Sequence, residues 1–98
     1  MIKVYIRHNH IDINGHAMFD DYGKDIVCAA VSSIVITSIN GILRLNDKAI
    51  KYKISDEGMS LDILSESRET NLLILNMVSL LKELEKKYNK NIKIYEEV

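Results

Sequence analysis

Asp25-Ile26-Val27-Cys28-Ala29-Ala30-Val31-Ser32-Ser33-Ile34-Val35-Ile36-Thr37-Ser38-Ile39-Asn40-Gly41 contains the longest apolar stretch of the chain, Ile26 to Ile39, and its reading decides the fold. Asp is a favoured N-cap because its carboxylate accepts the unpaired amide hydrogens of a first helical turn. Asn40-Gly41 is a good C-cap pair. The segment therefore reads as a helix from Asp25 to about Asn40-Gly41. Val27, Val31, Ile34, Val35, Ile36 and Thr37 are β-branched and lower its intrinsic helicity, so it is expected to be a central helix held by burial on several sides. Ser32, Ser33, Thr37 and Ser38 interrupt the apolar run and the N-terminus alternates, which argues against a signal peptide, a membrane span or a membrane partner.

Upstream, Ile2, Val4 and Ile6 alternate with Lys3, Tyr5 and Arg7, and Ile11 and Ile13 alternate with Asp12 and Asn14. The period of two predicts two strands in a hairpin, with a turn at His8-Asn9-His10. Residues 17–24 break both periods and read as a loop. Downstream, Ile50, Tyr52 and Ile54, then Met59, Leu61 and Ile63, predict two more strands joined near Asp56-Glu57-Gly58. Leu72, Leu73, Leu75, Met77, Leu80, Leu81 and Leu84 recur at helical spacing from Glu69 to Tyr88, and Ile92 with Ile94 suggests a last strand. The order β-β-α-β-β-α-β predicts an α/β fold: a single two-layer domain over residues 1–98, with a mixed sheet and two helices on one face. Leu72 to Leu75 is apolar in succession, more than packing on one sheet requires, which suggests a pairing surface.

The chain has 98 residues, 47% of them hydrophobic and 28% charged, the range of a folded globular domain rather than a disordered one. The formal net charge of −1 offers no overall attraction to nucleic acid, so no direct nucleic-acid binding is expected without a local patch. The single cysteine cannot form an internal disulfide and suits a reducing, cytoplasmic setting.

A thiol acts as a nucleophile in its thiolate form, which a helix N-terminus or an imidazolium favours. Three residues inside the Asp25 cap, Cys28 falls in the first turn, where unpaired amides and the helix dipole favour an anion. His16 could supply the base. The same residues also have plainer readings. A lone Cys such as Cys28 among Ala29, Ala30 and Val31 is more often a small buried hydrophobe, His16 a surface residue at a strand end, Asp25 a cap first, and Ser32 ordinary packing one turn after Cys28.

The run Gly15-His16-Ala17, a loop, Gly23, then Asp25-Ile26-Val27-Cys28-Ala29-Ala30-Val31-Ser32 resembles the ribosomal processing cysteine protease (Prp) family of some bacteria, with length and element order agreeing across nearly the whole chain. The resemblance implies a catalytic dyad of Cys28 and His16, with Gly15, Asp25 and Ser32 as supporting positions. It further implies an endopeptidase that removes the short N-terminal extension of a large-subunit ribosomal protein during ribosome assembly, acting as a homodimer without a cofactor. The loop between the dyad residues, with Phe19, Tyr22 and Gly23, then reads as a lid that opens for an extended substrate. Two other readings compete. One is a non-catalytic module binding ribosomal protein or RNA through Lys51-Tyr52-Lys53 and Lys86, Lys87 and Lys90. The other is a metal site of His8, His10 and His16 with Cys28, against which stands the turn expected at His8-Asn9-His10.

Overall fold

The computed structural model describes residues 1–15, 26–55 and 57–97. The elements follow the expected order: β1 (Ile2–Arg7), β2 (His10–Asn14), α1 (Ile26–Leu45), β3 (Ile50–Ser55), β4 (Gly58–Ile63), α2 (Arg68–Lys87) and β5 (Ile92–Glu96). The five strands form one sheet in the order β3-β4-β2-β1-β5. Only β1 and β5 run parallel; the other pairs are antiparallel. The sheet is mixed because α2 carries the chain back across it before β5 begins.

Period-two alternation divides the sheet into two faces. Ile2 and Val4, Ile11 and Ile13, Met59 and Leu61, and Ile92 face the helices and are buried. Lys3, Tyr5, His10, Asp12, Ser60, Asp62, Lys93 and Tyr95 occupy the alternate positions of the same strands, on the open face. Val31, Val35, Ile39 and Ile42 of α1, with Met77, Val78 and Leu81 of α2, complete the core. Full burial of each such aliphatic side chain contributes roughly 1.5–3 kcal/mol.

Three expectations change. The hairpin turn is His8-Asn9, with Asn9 at φ 58, and His10 already belongs to β2; Asn adopts the left-handed region at little cost. The first helix passes through Asn40-Gly41 and ends at Leu45. Burying Ile42 completely outweighs the roughly 1 kcal/mol that a glycine costs within a helix. Gly41 lies against α2, where an added Cβ would meet Leu73 Cδ1 at 4.0 Å.

Finally, α1 is buried along one stripe, Val27, Cys28, Val31, Val35, Ile39 and Ile42, rather than on several sides; Ile26, Ile36 and Leu45 are exposed. With α1 packed beside α2, its stripe joins the strand residues in one core cluster and the rest of its surface is left uncovered. By length and composition α1 is apolar enough to cross a membrane, so composition does not by itself exclude a span. Its stripe instead forms the centre of the core.

The second helix starts at a cap outside the period-based reading. Ser67 Oγ accepts the Thr70 amide hydrogen at 3.1 Å, and Thr70 is itself buried. Leu73 and Ile74 pack against the core while Leu72 and Leu75 remain exposed. The apolar run does exceed what this domain covers.

Candidate active site

One end of the sheet is built on two glycines. Gly15 closes β2 at φ +75, where a Cβ would lie 2.3 Å from the Met1 carbonyl oxygen, and its amide donates to Glu57 O at 3.2 Å. Gly58 opens β4 at φ +147, where a Cβ would lie 1.9 Å from Ile13 O. Any side chain at either position would collide with a neighbouring strand's backbone. The strand that leads to His16 is thereby held tightly against β1 and the β3–β4 turn.

Cys28 is the third residue of α1 and buried at 5% exposure, in the core layer rather than on the open face. Its place in the first turn puts it beside amides without intrahelical acceptors and at the positive end of the helix dipole. Ser32 follows one turn later on the same side and is half-buried. It lines a shallow apolar groove with Ile13, Val35, Ile36, Ile54 and Met59, over Gly58. Ile36 of α1 and Ile54 of the edge strand β3, both half-exposed, are among its walls.

Among the proposed site residues, Gly15 closes β2 at this end, Ser32 lines the groove over Gly58, and Cys28 precedes Ser32 by one helical turn. His16, Asp25 and the lid positions Phe19, Tyr22 and Gly23 lie outside the described residues. The groove walls escaped the sequence reading, since Ile36 and Ile54 meet only through the β3–β4 register and the placement of α1. Gly58 was the available signal, a glycine at a strand start.

The metal reading fails on geometry. His10 stands on the open face, opposite to the side that holds Cys28, and both its ring nitrogens are engaged. Nδ1 donates to Asp62 Oδ1 at 2.5 Å and Nε2 to Asp12 Oδ2 at 3.0 Å. Donation from both nitrogens requires the imidazolium, and His10 is held above its ordinary value of 6.5 chiefly by the Asp62 hydrogen bond, with Asp12 adding to it against partial desolvation. Arg7 also reaches Asp12, at 3.7 Å, and Glu97, at 3.2 Å.

A mixed five-stranded sheet under two helices, with a cysteine in the first turn of α1 one turn before a groove-lining serine, defines a two-layer α/β domain with a thiol at a helix start. The family pattern described as cysteine protease Prp matches residues 1–93, and the chain belongs to that family of cysteine proteases. The ribosomal processing cysteine protease Prp of Staphylococcus aureus (strain Mu50) is 33% identical, over 84% of this chain and 80% of its own. That of Bacillus subtilis is 30% identical, over 96% of both. Among solved structures, the S. aureus protease in complex with a substrate peptide superposes with a TM-score of 0.88 at 26% identity, covering 99% of this chain and all of that one. The same protease with a covalently linked product peptide gives 0.87 at 27%.

Proposed function

We propose that this chain is the endopeptidase that removes the short N-terminal extension of a large-subunit ribosomal protein, with Cys28 as nucleophile and His16 as its base. The observation that carries the reading is the position of Cys28, in the first turn of α1 and one turn before Ser32, which lines the groove. The relatives' role in ribosomal processing supports the substrate class.

In this mechanism His16 accepts the thiol proton as sulfur attacks the scissile carbonyl. The resulting oxyanion is met by backbone amides at the start of α1, including that of Cys28, which point at the developing charge. Collapse breaks the C–N bond, His16 gives its proton to the leaving amine, and water then hydrolyses the thioester with His16 again as base. Asp25 caps the helix and orients the imidazole, and Ser32 with Ile36 and Ile54 receives a substrate side chain next to the scissile bond. The enzyme works in the cytoplasm, where the thiol stays reduced, and as a homodimer whose interface draws on the apolar surface left by Leu72 and Leu75.

Incubation with the same organism's ribosomal proteins tests this directly. One N-terminal shortening by the wild type, absent with a folded Cys28→Ala, is expected. Undiminished cleavage by that variant would overturn the mechanism. Light scattering at high micromolar concentration tests the dimer, and a strictly monomeric mass would remove it.

A further inference from the structure

The open face of the sheet has a composition that an idle solvated surface does not explain. In the parallel pair β1–β5, Lys3 stands directly opposite Lys93. Like charges set opposite each other destabilise a sheet, and among the described residues no carboxylate pairs with either lysine. In the next same-face row Tyr5 stands opposite Tyr95, and the two rings stack with centroids 5.1 Å apart and planes 15° from parallel. Since β5 is an edge strand, Tyr95 is the outer ring of that stack, and it is 47% exposed.

The carboxylates of this face are already engaged. Asp12 and Asp62 hold His10 between them, and Arg7 adds a further positive charge at Asp12. What remains toward solvent is positive: Lys3 and Lys93 beside the tyrosines, and Lys51 with Lys53 on β3. Around the β5 edge, Lys82, Lys86, Asn89 and Lys93 line an open concavity between β5 and the end of α2, whose two carboxylates are also engaged, Glu96 by Lys82 and Glu85 by the Ile94 amide. The net charge of −1 averages over both sides of the molecule and hides this patch.

Unpaired lysines next to the open end of an aromatic stack are complementary to phosphates joined to flat rings. A free phosphate has no use for the tyrosines, and a duplex keeps its bases inside. We propose that this face binds single-stranded RNA, with a base stacking on Tyr95 and flanking phosphates meeting Lys3, Lys93 and, around the edge, Lys86. The choice of RNA over DNA rests on the proposed action on ribosomal proteins, which brings the enzyme next to RNA. The binding surface itself does not depend on that reading, because it lies on the opposite side of the sheet from Cys28.

Fluorescence anisotropy with a labelled oligouridylate of about ten nucleotides tests the proposal on the full chain. Saturable binding that weakens with salt is expected, and Tyr95→Ala should weaken it by roughly tenfold or more while Tyr95→Phe preserves it. Lys3→Gln with Lys93→Gln should reduce the log–log salt slope by about 1.4, two phosphate contacts' worth on a single strand. Thermal unfolding confirms that each variant is folded at the assay temperature, and each should retain peptide cleavage. Cys28→Ala should bind the RNA as the wild type does, so loss of the protease reading and loss of the RNA reading are separately visible. No saturable binding at low salt up to high micromolar protein, or binding unchanged by both the Tyr95 and the lysine variants, would overturn the proposal. A duplex of the same sequence bound equally well would do so too, and tighter binding of oligodeoxythymidylate would remove RNA as the ligand.

Discussion

The two faces of the sheet are written on the same five strands, one residue apart, and share almost no chemistry. Toward the helices stand Val4, Ile13, Met59, Leu61 and Ile92, packed without charge. On the other side, Tyr5, Asp12, Ser60 and Lys93 are the immediate chain neighbours of those residues. The covered side holds Cys28 in the core layer and an apolar groove lined by Ser32, while the open side keeps a chain of charges from Glu97 through Arg7, Asp12 and His10 to Asp62. A two-layer domain leaves one sheet face unpacked, and here the charged network of His10 lies on that open face while Cys28 lies on the covered one.

The largest effect should separate the faces by activity. Cys28→Ala is expected to lower kcat on the order of a thousandfold or more, whereas Lys3→Gln leaves it unchanged, as steady-state cleavage of a peptide substrate would show. A comparable loss at Lys3 would mean that the faces are catalytically coupled.

Stability gives the next contrast. Leu61 is fully buried, so Leu61→Ala should cost roughly 2–5 kcal/mol in chemical denaturation, and the adjacent Ser60→Ala should fall within about 0.5 kcal/mol. Equal costs would deny the division into a packed and an open side.

At the uncovered flank of the helical layer, half-exposed Ile36 should matter to substrate more than to folding. Ile36→Ala is expected to change stability by less than about 1 kcal/mol and to raise KM by roughly three- to tenfold. A KM that stays put would detach the groove from peptide binding.

The smallest effect is a pH dependence confined to the open face. His10 has its folded value raised by Asp62 and Asp12, so the proton binds the folded chain more tightly than the unfolded one. Its stabilisation is complete below the unfolded value near 6.5 and is lost as pH rises from there through the raised folded value. The wild-type denaturation midpoint should therefore fall across that window relative to His10→Gln. Parallel curves for the two proteins would show that the imidazolium holds nothing together.

Several elements were legible because their signals are local. Ile2-Val4-Ile6 and Ile11-Ile13 show a strand's period in a few residues, and the leucines from 72 to 84 show a helix's. Gly15-His16 and the segment from Asp25 to Ser32 carry the family resemblance in contiguous residues, which is why the candidate nucleophile was visible. Other features were hidden by competition between local and distant effects. Asn40-Gly41 has the chemistry of a helix end, yet burial of Ile42 against the rest of the core carries α1 on to Leu45. Ser67, an N-cap by type, lies just outside the periodic leucines that marked the helix.

By itself the sequence determined the element order, the alternation of apolar and polar positions and the location of Cys28 at a helix start, since each depends on neighbours within a turn or a strand. Tertiary structure alone decided that β1 lies between β2 and β5, so that Lys3 meets Lys93 and Tyr5 stacks on Tyr95. It alone brought Asp62 to His10, 52 residues away along the chain, and opened the groove between Ile36 and Ile54. Strand order and register are chosen by the burial of all the apolar faces together, and no single segment carries that sum.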